Sequence, residues 1–468
     1  MKETVTAPCM CTQDDTLLMR ACFVAGLWLA MAVRSWSGPP LPPEMYLQIF
    51  RCLTPEEKGS VRATCRLFKQ LIDQPACWRD TTVILKGIAA YSPGFWEMLK
   101  KRRTCSVVVR KAKANHLRKL LGSLPSLRAL AIDPISDVGV LDLLTEFRNV
   151  EKLVLKVDLN APSKLLVVHD LKHLTHLTVC DLKRHCREYQ LLLGVSALKS
   201  LRSLSLHCDW GDPAIKLFRF ALFHLPSLKE LSVKGNPFYM KLTPDSFSPL
   251  TGDQCDRFGL PHPCVSQLQL EKLELLDCED VVLCEESLNQ LSSLRCLFVH
   301  FTCGERARHF SIGLDSVFRK LTHLTELRQK RGRLICNSLP ARLESLSLNS
   351  VFINPAGLKR LASAELKHLR LDHCTYCVEG LEDFPQLFPH LKTLSIRHFH
   401  MKRDEFVHLA KLRYLEKLDI VDVGSVPSIT RQQLEELIRG FRITMDNRVQ
   451  IVQQPELPER VACDCSTH

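Results

Sequence analysis

The pattern L-x-x-L-x-L, with Ile or Val accepted at its last position, recurs along most of the chain and leaves few folds open to it. It reads LRALAI from Leu127, VEKLVL from Val150, LTHLTV from Leu174, LRSLSL from Leu201 and LKELSV from Leu228. It resumes as LEKLEL from Leu270, LRCLFV from Leu294, LESLSL from Leu343, LKHLRL from Leu366, LKTLSI from Leu391 and LEKLDI from Leu415, with a weaker copy, LTELRQ, from Leu324. Most neighbouring copies are 23 to 27 residues apart. The alternation L-x-L predicts a short strand with its leucines on one face, and the rest of each copy must return the chain through a helix or turn on the other side. One copy cannot bury its own leucines. Stacked copies share a core, in which each buried leucine contributes about 1.5–3 kcal/mol.

This period and consensus are those of leucine-rich repeats. The expected fold is α/β: a curved solenoid over 81–424, with parallel strands on the concave face and helices or turns on the convex face. Two earlier strands are expected where VIL ends at Leu85 and VVV ends at Val109, since they precede Ile132 at the same interval. The one long gap, after Leu228, holds a Pro- and Gly-rich insertion over 235–264, expected to be a loop, and long loops in repeat arrays often carry recognition. At the far end a Thr430 to Gln433 capping box opens an amphipathic helix with Leu434, Leu437, Ile438 and Phe441 on one face, and with VQIV it is expected to cap the array over 425–454. Residues 455–468 read as a flexible tail. Asn236, Cys278 and Cys374 sit three residues past the last apolar residue of their copies, where such repeats use Asn or Cys to satisfy turn backbone groups. The pair Cys374 and Cys377 is C-x-x-C without a second pair at zinc-ligand spacing, so no metal is expected.

The 21 cysteines are scattered singly, which argues against a secreted disulfide framework and for a reducing compartment, cytoplasmic with a nuclear alternative. A net charge of +12 favours an acidic or phosphorylated partner; nothing in the sequence calls for nucleic acid. Ala21 to Val33 is an uncharged apolar run, too short to span a bilayer and preceded by Asp14 and Asp15 rather than by a basic region, so no stable membrane insertion is expected. Residues 1–38 read as an unstructured or partner-covered extension.

Residues 39–80 follow another grammar. Pro42 and Pro43 stop any preceding helix and supply a first-turn proline, and Glu44 suits the positive helix start. Met45, Ile49 and Leu53 share a face that Tyr46 and Phe50 widen. Thr54, Pro55 and Glu57 form a second capped start. CRLFKQLI places Phe68, Leu71 and Ile72 together before Pro75 and Trp78. Three short amphipathic helices in about forty residues make a small core, and such a unit is expected to need a partner.

In the order Leu41, Pro42, Glu44, Ile49, Leu53, Cys65, Phe68, Trp78 this segment resembles the F-box, and an F-box ahead of leucine-rich repeats resembles the F-box and leucine-rich-repeat family. That resemblance implies a substrate receptor of a cullin-RING ubiquitin ligase. The F-box would bind a Skp-type adaptor, and through it cullin and RING subunits, and the repeats would bind the protein to be ubiquitinated for proteasomal degradation. It places adaptor contact on Leu41, Pro42, Glu44, Ile49, Phe50 and Leu53, although Ile49, Leu53 and Trp78 can equally pack the helical unit. The segment departs from the family at Lys58 and Gly59, where leucines are favoured, and at Phe68, which replaces a tryptophan.

No P-loop, G-x-S-x-G, H-E-x-x-H or dinucleotide turn occurs in the sequence, so no catalytic role and no cofactor are expected. Residues between and beside the strand leucines should face the concave side and a protein substrate. They include His207, Lys234, Phe298, His300, His368, Arg370, Arg397 and Lys417, a mostly basic set, though Glu230, Glu274, Asp372 and Asp419 share that face. The run Lys100 to Lys113 reads either as a nuclear or phosphate-contacting signal or as a solvated edge. A scaffold or inhibitor whose F-box-like segment is only a cap remains the other reading.

Overall fold

In the computed structural model the described residues are 41–79, 81–135, 137–157, 168–180, 188–207, 214–234, 242–278, 285–301, 311–313, 315–351, 353, 361–363, 365–372, 374, 383–397, 407–422, 431–445 and 449–455. The chain divides into two compact units, one running to Leu201 and one beginning at Arg202.

The first unit opens with three helices: α1 (Pro43–Arg51), α2 (Pro55–Arg62) and α3 (Arg66–Ile72). Proline occupies the first turn of α1 with Glu44 behind it and Arg51 in the last turn, each charge matched to the helix dipole. The capping box of α2 forms: Thr54 N donates to Glu57 Oε2 at 2.7 Å, and Glu57 N donates to Thr54 Oγ1 at 3.3 Å. Tyr46, Phe50 and Leu53 of the first helical segment meet Leu71, Ile72, Cys77 and Trp78 in one small core. Phe68 closes it, with its ring centroid 5.2 Å from those of both Tyr46 and Phe50. The indole of Trp78 donates to Ile72 O at 2.6 Å, so its one polar atom is satisfied inside the core.

Five parallel strands follow: β1 (Thr82–Lys86), β2 (Ser106–Ala112), β3 (Ala129–Ile135), β4 (Lys152–Val157) and β5 (His176–Cys180). The register pairs Leu85 with Val109, Val109 with Ile132, Ile132 with Leu155 and Leu155 with Val179, and all five side chains are buried. Helices α4 (Pro93–Lys101) and α5 (Ala114–Ser123) return the chain, burying Trp96, Leu99, Leu117 and Leu120.

Among the described residues the second unit holds a ladder of ten parallel strands. In order these are β6 (Ser203–His207), β7 (Glu230–Lys234), β8 (Lys272–Cys278), β9 (Cys296–Phe301), β11 (Glu326–Lys330), β13 (Ser345–Asn349), β14 (His368–Asp372), β15 (Thr393–Arg397), β16 (Lys417–Asp422) and β17 (Gln450–Pro455). Two further strands, β10 (Ser311–Gly313) and β12 (Arg333–Ile335), form a separate parallel pair. The fold is the short helical unit followed by a leucine-rich-repeat array. The weak copy at Leu324 is a true rung: Leu327 is buried as a leucine should be, and Gln329 occupies the next inward place with its amide donating to Arg331 O at 2.9 Å. Cys278 and Cys374 are buried turn donors, to Leu276 O at 3.7 Å and Leu348 O at 3.4 Å. Asn236, Cys377, Thr430, the run 21–33 and the tail from 456 lie outside the described residues.

The insertion departs from the expected open loop. Residues 242–264 contain a helix, Gly252–Phe258, with its own Thr251–Gln254 capping box and a left-handed Gly259 at its end. Leu250, Cys255 and Leu260 pack on Phe220 of the helix Ala214–Phe223, and Arg219 of that helix donates to Ser248 O and Pro249 O, both at 3.1 Å. This part of the insertion therefore covers a return helix. The physical reason is in the sequence AIKLFRFALF, whose Phe218, Phe220, Leu222 and Phe223 are too apolar around the helix to leave one side in water.

Candidate functional site

The surface of the helical unit divides its residues cleanly. Tyr46, Phe50 and Leu53 recur at helical spacing and point into the core, so Phe50 and Leu53, expected at an adaptor contact, are packing residues here. Leu41 at 37 % and Met45 at 45 % exposure stand on the surface beside exposed Pro42 and Glu44, with Ile49 half-buried between the two sets. Leu67 on α3 is exposed as well. Met45, expected to share one face with Ile49 and Leu53, is separated from Leu53, because positions 46, 50 and 53 complete the inward stripe and turn 45 away from it; Leu67 is a surface residue that the sequence did not single out.

Behind this surface the unit is tied to the first repeat by buried charge. Lys58 is only 2 % exposed, and its ammonium donates to Thr81 Oγ1 at 3.2 Å, just ahead of β1, while lying 5.5 Å from the Trp78 ring centroid. Across the same indole, the Arg102 guanidinium carbon after α4 sits 3.8 Å from the centroid. Arg102 also donates to Asp73 Oδ1 at 3.0 Å, and Asp73 takes two further hydrogen bonds from Arg62 at 2.8 and 2.9 Å. Burial works against the Asp73 carboxylate, yet the hydrogen bonds from Arg62 and Arg102 outweigh it and hold its pKa below the ordinary value. The unfamiliar Lys58 is thus a joint residue. The run Lys100 to Lys113 is not one surface: Arg102 is buried here, Arg110 pairs with Asp133, and Lys100, Lys101, Arg103, Lys111 and Lys113 are exposed.

On the second unit the register sets side chains in rows on the face opposite the leucines. One row runs through Ser232, Glu274, Phe298, Arg328, Ser347, Arg370, Ser395 and Asp419. Several basic side chains expected to meet a substrate are instead buried and held. His207 shares a hydrogen bond with Ser232 Oγ at 3.0 Å. His300 lies between Asp277 at 3.5 Å and Arg331 at 3.1 Å, and Asp277 also holds Lys234 at 3.4 Å. Arg397 donates to Asp372 at 2.6 Å, and Lys417 pairs with Asp419 at 3.4 Å. His207, His300, Arg397 and Lys417 therefore brace the sheet face, because each carboxylate or hydroxyl that holds them sits one or two positions away in the ladder. Glu274 is half-buried; burial raises its pKa, and Lys272 at 2.8 Å with the Ser232 hydroxyl more than reverses that. What stays open is Arg328 and Arg370, at 55 % and 53 % exposure, flanking Ser347, with exposed His368 beside them and half-buried Phe298 at one edge. Arg328 already contacts Glu326 at 2.6 Å.

Among the described residues no group of three or more His, Cys, Asp or Glu side chains is placed to hold a metal ion, and no helix is long and apolar enough to cross a membrane.

No curated protein matches the chain. Among solved structures, TLR13 in complex with ssRNA13 is similar at 17 % identity and a TM-score of 0.40, over 84 % of this chain and 56 % of that chain, so the chain spans little more than half its neighbour's length. Residues 40–83 match the family model described as F-box-like, which covers all three helices and the first residues of β1 and makes this an F-box-like domain set ahead of a leucine-rich-repeat array.

Proposed function

We propose that the protein is the substrate-recognition subunit of a cullin-RING ubiquitin ligase, docking through its F-box-like domain on a Skp-type adaptor and recruiting a protein substrate with its repeats. The observation that carries this reading is the exposure of Leu41 and Met45 on a helical unit whose own core is already complete. Apolar side chains placed outside a filled core on an F-box-like domain favour a partner of matching apolar character. Leu41, Pro42, Glu44, Met45 and Ile49 form the adaptor contact in this reading. Arg328, Arg370 and His368 then offer the substrate side an acidic or phosphorylated segment. The chain contributes proximity rather than bond chemistry: it raises the effective concentration of substrate lysines near a charged conjugating enzyme. It works in the cytoplasm or nucleus.

A scaffold or inhibitor role, with the helical unit serving only as a cap, draws on the charged joint at Lys58, Arg102 and Trp78, which ties that unit to the first repeat as a cap would be tied. Copurification separates the two. Adaptor and cullin accompany the wild-type chain and are lost with Leu41→Ala and Pro42→Ala together; recovery of neither with the wild type supports the cap.

A further inference from the structure

On the outward face of the second unit, cations are typically matched by a neighbouring carboxylate. Lys272 meets Glu274 at 2.8 Å, Lys234 meets Asp277 at 3.4 Å, Lys417 meets Asp419 at 3.4 Å and the buried Arg397 meets Asp372 at 2.6 Å. Among the described residues Arg370 departs from this. Its nearest carboxylate is Asp372 at 3.6 Å, beyond hydrogen-bond distance, and both oxygens of that group are already taken: Oδ1 accepts from Arg397 at 2.6 Å and Oδ2 from the Asn349 amide at 3.1 Å. Arg397 cancels the Asp372 charge, so the positive charge of Arg370, on a side chain 53 % exposed, is left over.

The register places that charge near a second guanidinium. Arg328, Ser347 and Arg370 are direct neighbours on three successive strands of the ladder, and Ser395 follows on the fourth. Both serines are short and half-buried, so Arg370 stands between two low neighbours, and the two arginines bracket Ser347 with their backbones about 9.6 Å apart. Glu326 holds Arg328 by one edge, Nε and Nη2 both lying 2.6 Å from the same oxygen, and Nη1 takes no partner among the described residues. The notch over Ser347 therefore offers the Arg370 fork, the Nη1 end of Arg328 and one hydroxyl. A carboxylate has two oxygens and is filled by a single fork. A phosphomonoester has three terminal oxygens and a charge of about −1.5 to −2, and it can use all three donor groups.

We propose that the notch formed by Arg328, Ser347 and Arg370 binds the phosphate of a phosphoserine or phosphothreonine in the recruited protein, so that recruitment depends on prior phosphorylation. This rests on the reading of the repeats as the substrate-binding part of the chain, and it narrows the acidic or phosphorylated segment of that reading to the phosphorylated one.

The test immobilises the full chain and offers it a mixture of two degenerate nonapeptide libraries, one with phosphothreonine and one with glutamate at the centre; mass spectrometry reads the retained ratio. Retention is expected to favour phosphothreonine at least ten-fold. Arg370→Lys keeps the charge without the fork, and Ser347→Asp sets a carboxylate between the two arginines; each should bring the ratio below about two-fold with the thermal midpoint unchanged. Equal retention of the two libraries by the wild type overturns the proposal, and so does a preference that Arg370→Lys or Ser347→Asp leaves intact. Calorimetry with the Skp-type adaptor is run on the same preparation. Adaptor binding without a phosphate preference overturns the notch alone, whereas a phosphate preference without adaptor binding supports the notch and overturns the ligase reading.

Discussion

Arg102 stacks its guanidinium 3.8 Å from the centroid of the Trp78 indole while donating to Asp73 at 3.0 Å, so one side chain from the first repeat grips the helical unit by an aromatic face and by a carboxylate. Arg102→Ala removes both contacts and is expected to cost about 1–3 kcal/mol. Arg102→Lys keeps the charge without the planar fork and should recover only part of it. Chemical denaturation followed by tryptophan fluorescence reads both; equal stability of wild type and Arg102→Ala would remove the joint from the account.

The same joint gives a pH signature. The folded Asp73 carboxyl titrates below its free value of 3.8, so its contribution is complete above that pH and is lost as the pH falls through the folded pKa. The gap in urea midpoint between wild type and Asp73→Asn should be constant from pH 7 to pH 5 and shrink below about pH 4. A gap that persists unchanged to about pH 2.5 would mean the carboxylate is not held by Arg62 and Arg102 as described.

Gly59 lies inside α2 with nothing within 4 Å of where a Cβ would stand. Gly59→Ala should therefore stabilise the helical unit by about 0.5–1 kcal/mol, through backbone entropy alone. A lower thermal midpoint for the variant would show that this glycine serves a contact.

The repeat array was legible in the sequence because strand leucines alternate and the period is regular; neither signal needs knowledge of neighbours. Burial of the cations on the sheet face was not legible from composition. Arg397 is neutralised by Asp372, a partner 25 residues back, and that pairing exists only once two repeats are set in register. Register supplies the missing signal: LRLD and LSIR place the aspartate and the arginine at the ends of adjacent strands. The first helical segment reads similarly. Its apolar residues were plain, but only the stripe 46, 50, 53 says which of them face inward, and that places Phe50 and Leu53 in the core of the helical unit. The docked insertion was announced by a return helix with no polar side rather than by the insertion itself.

Arg397 and Arg370 make a direct contrast. Arg397→Ala leaves the buried Asp372 carboxylate with only the Asn349 amide at 3.1 Å and the more distant Arg370, and is expected to cost about 3 kcal/mol, the lower end for a broken buried pair. Arg370→Ala, half-exposed and 3.6 Å from the same carboxylate, should change stability by no more than about 0.5 kcal/mol and, on the proposed function, weaken binding of an acidic segment. Equal thermal midpoints for the two variants would return Arg397 to the binding face.

The central claim is that the F-box-like domain offers Leu41 and Met45 to a Skp-type adaptor, and calorimetric titration of the purified full chain with that adaptor tests it most directly. The expected result is saturable 1:1 binding that weakens at least ten-fold with Met45→Asp or Leu41→Asp and is unchanged by Arg370→Glu. Absence of binding by the wild type, or binding indifferent to Leu41 and Met45, would contradict it.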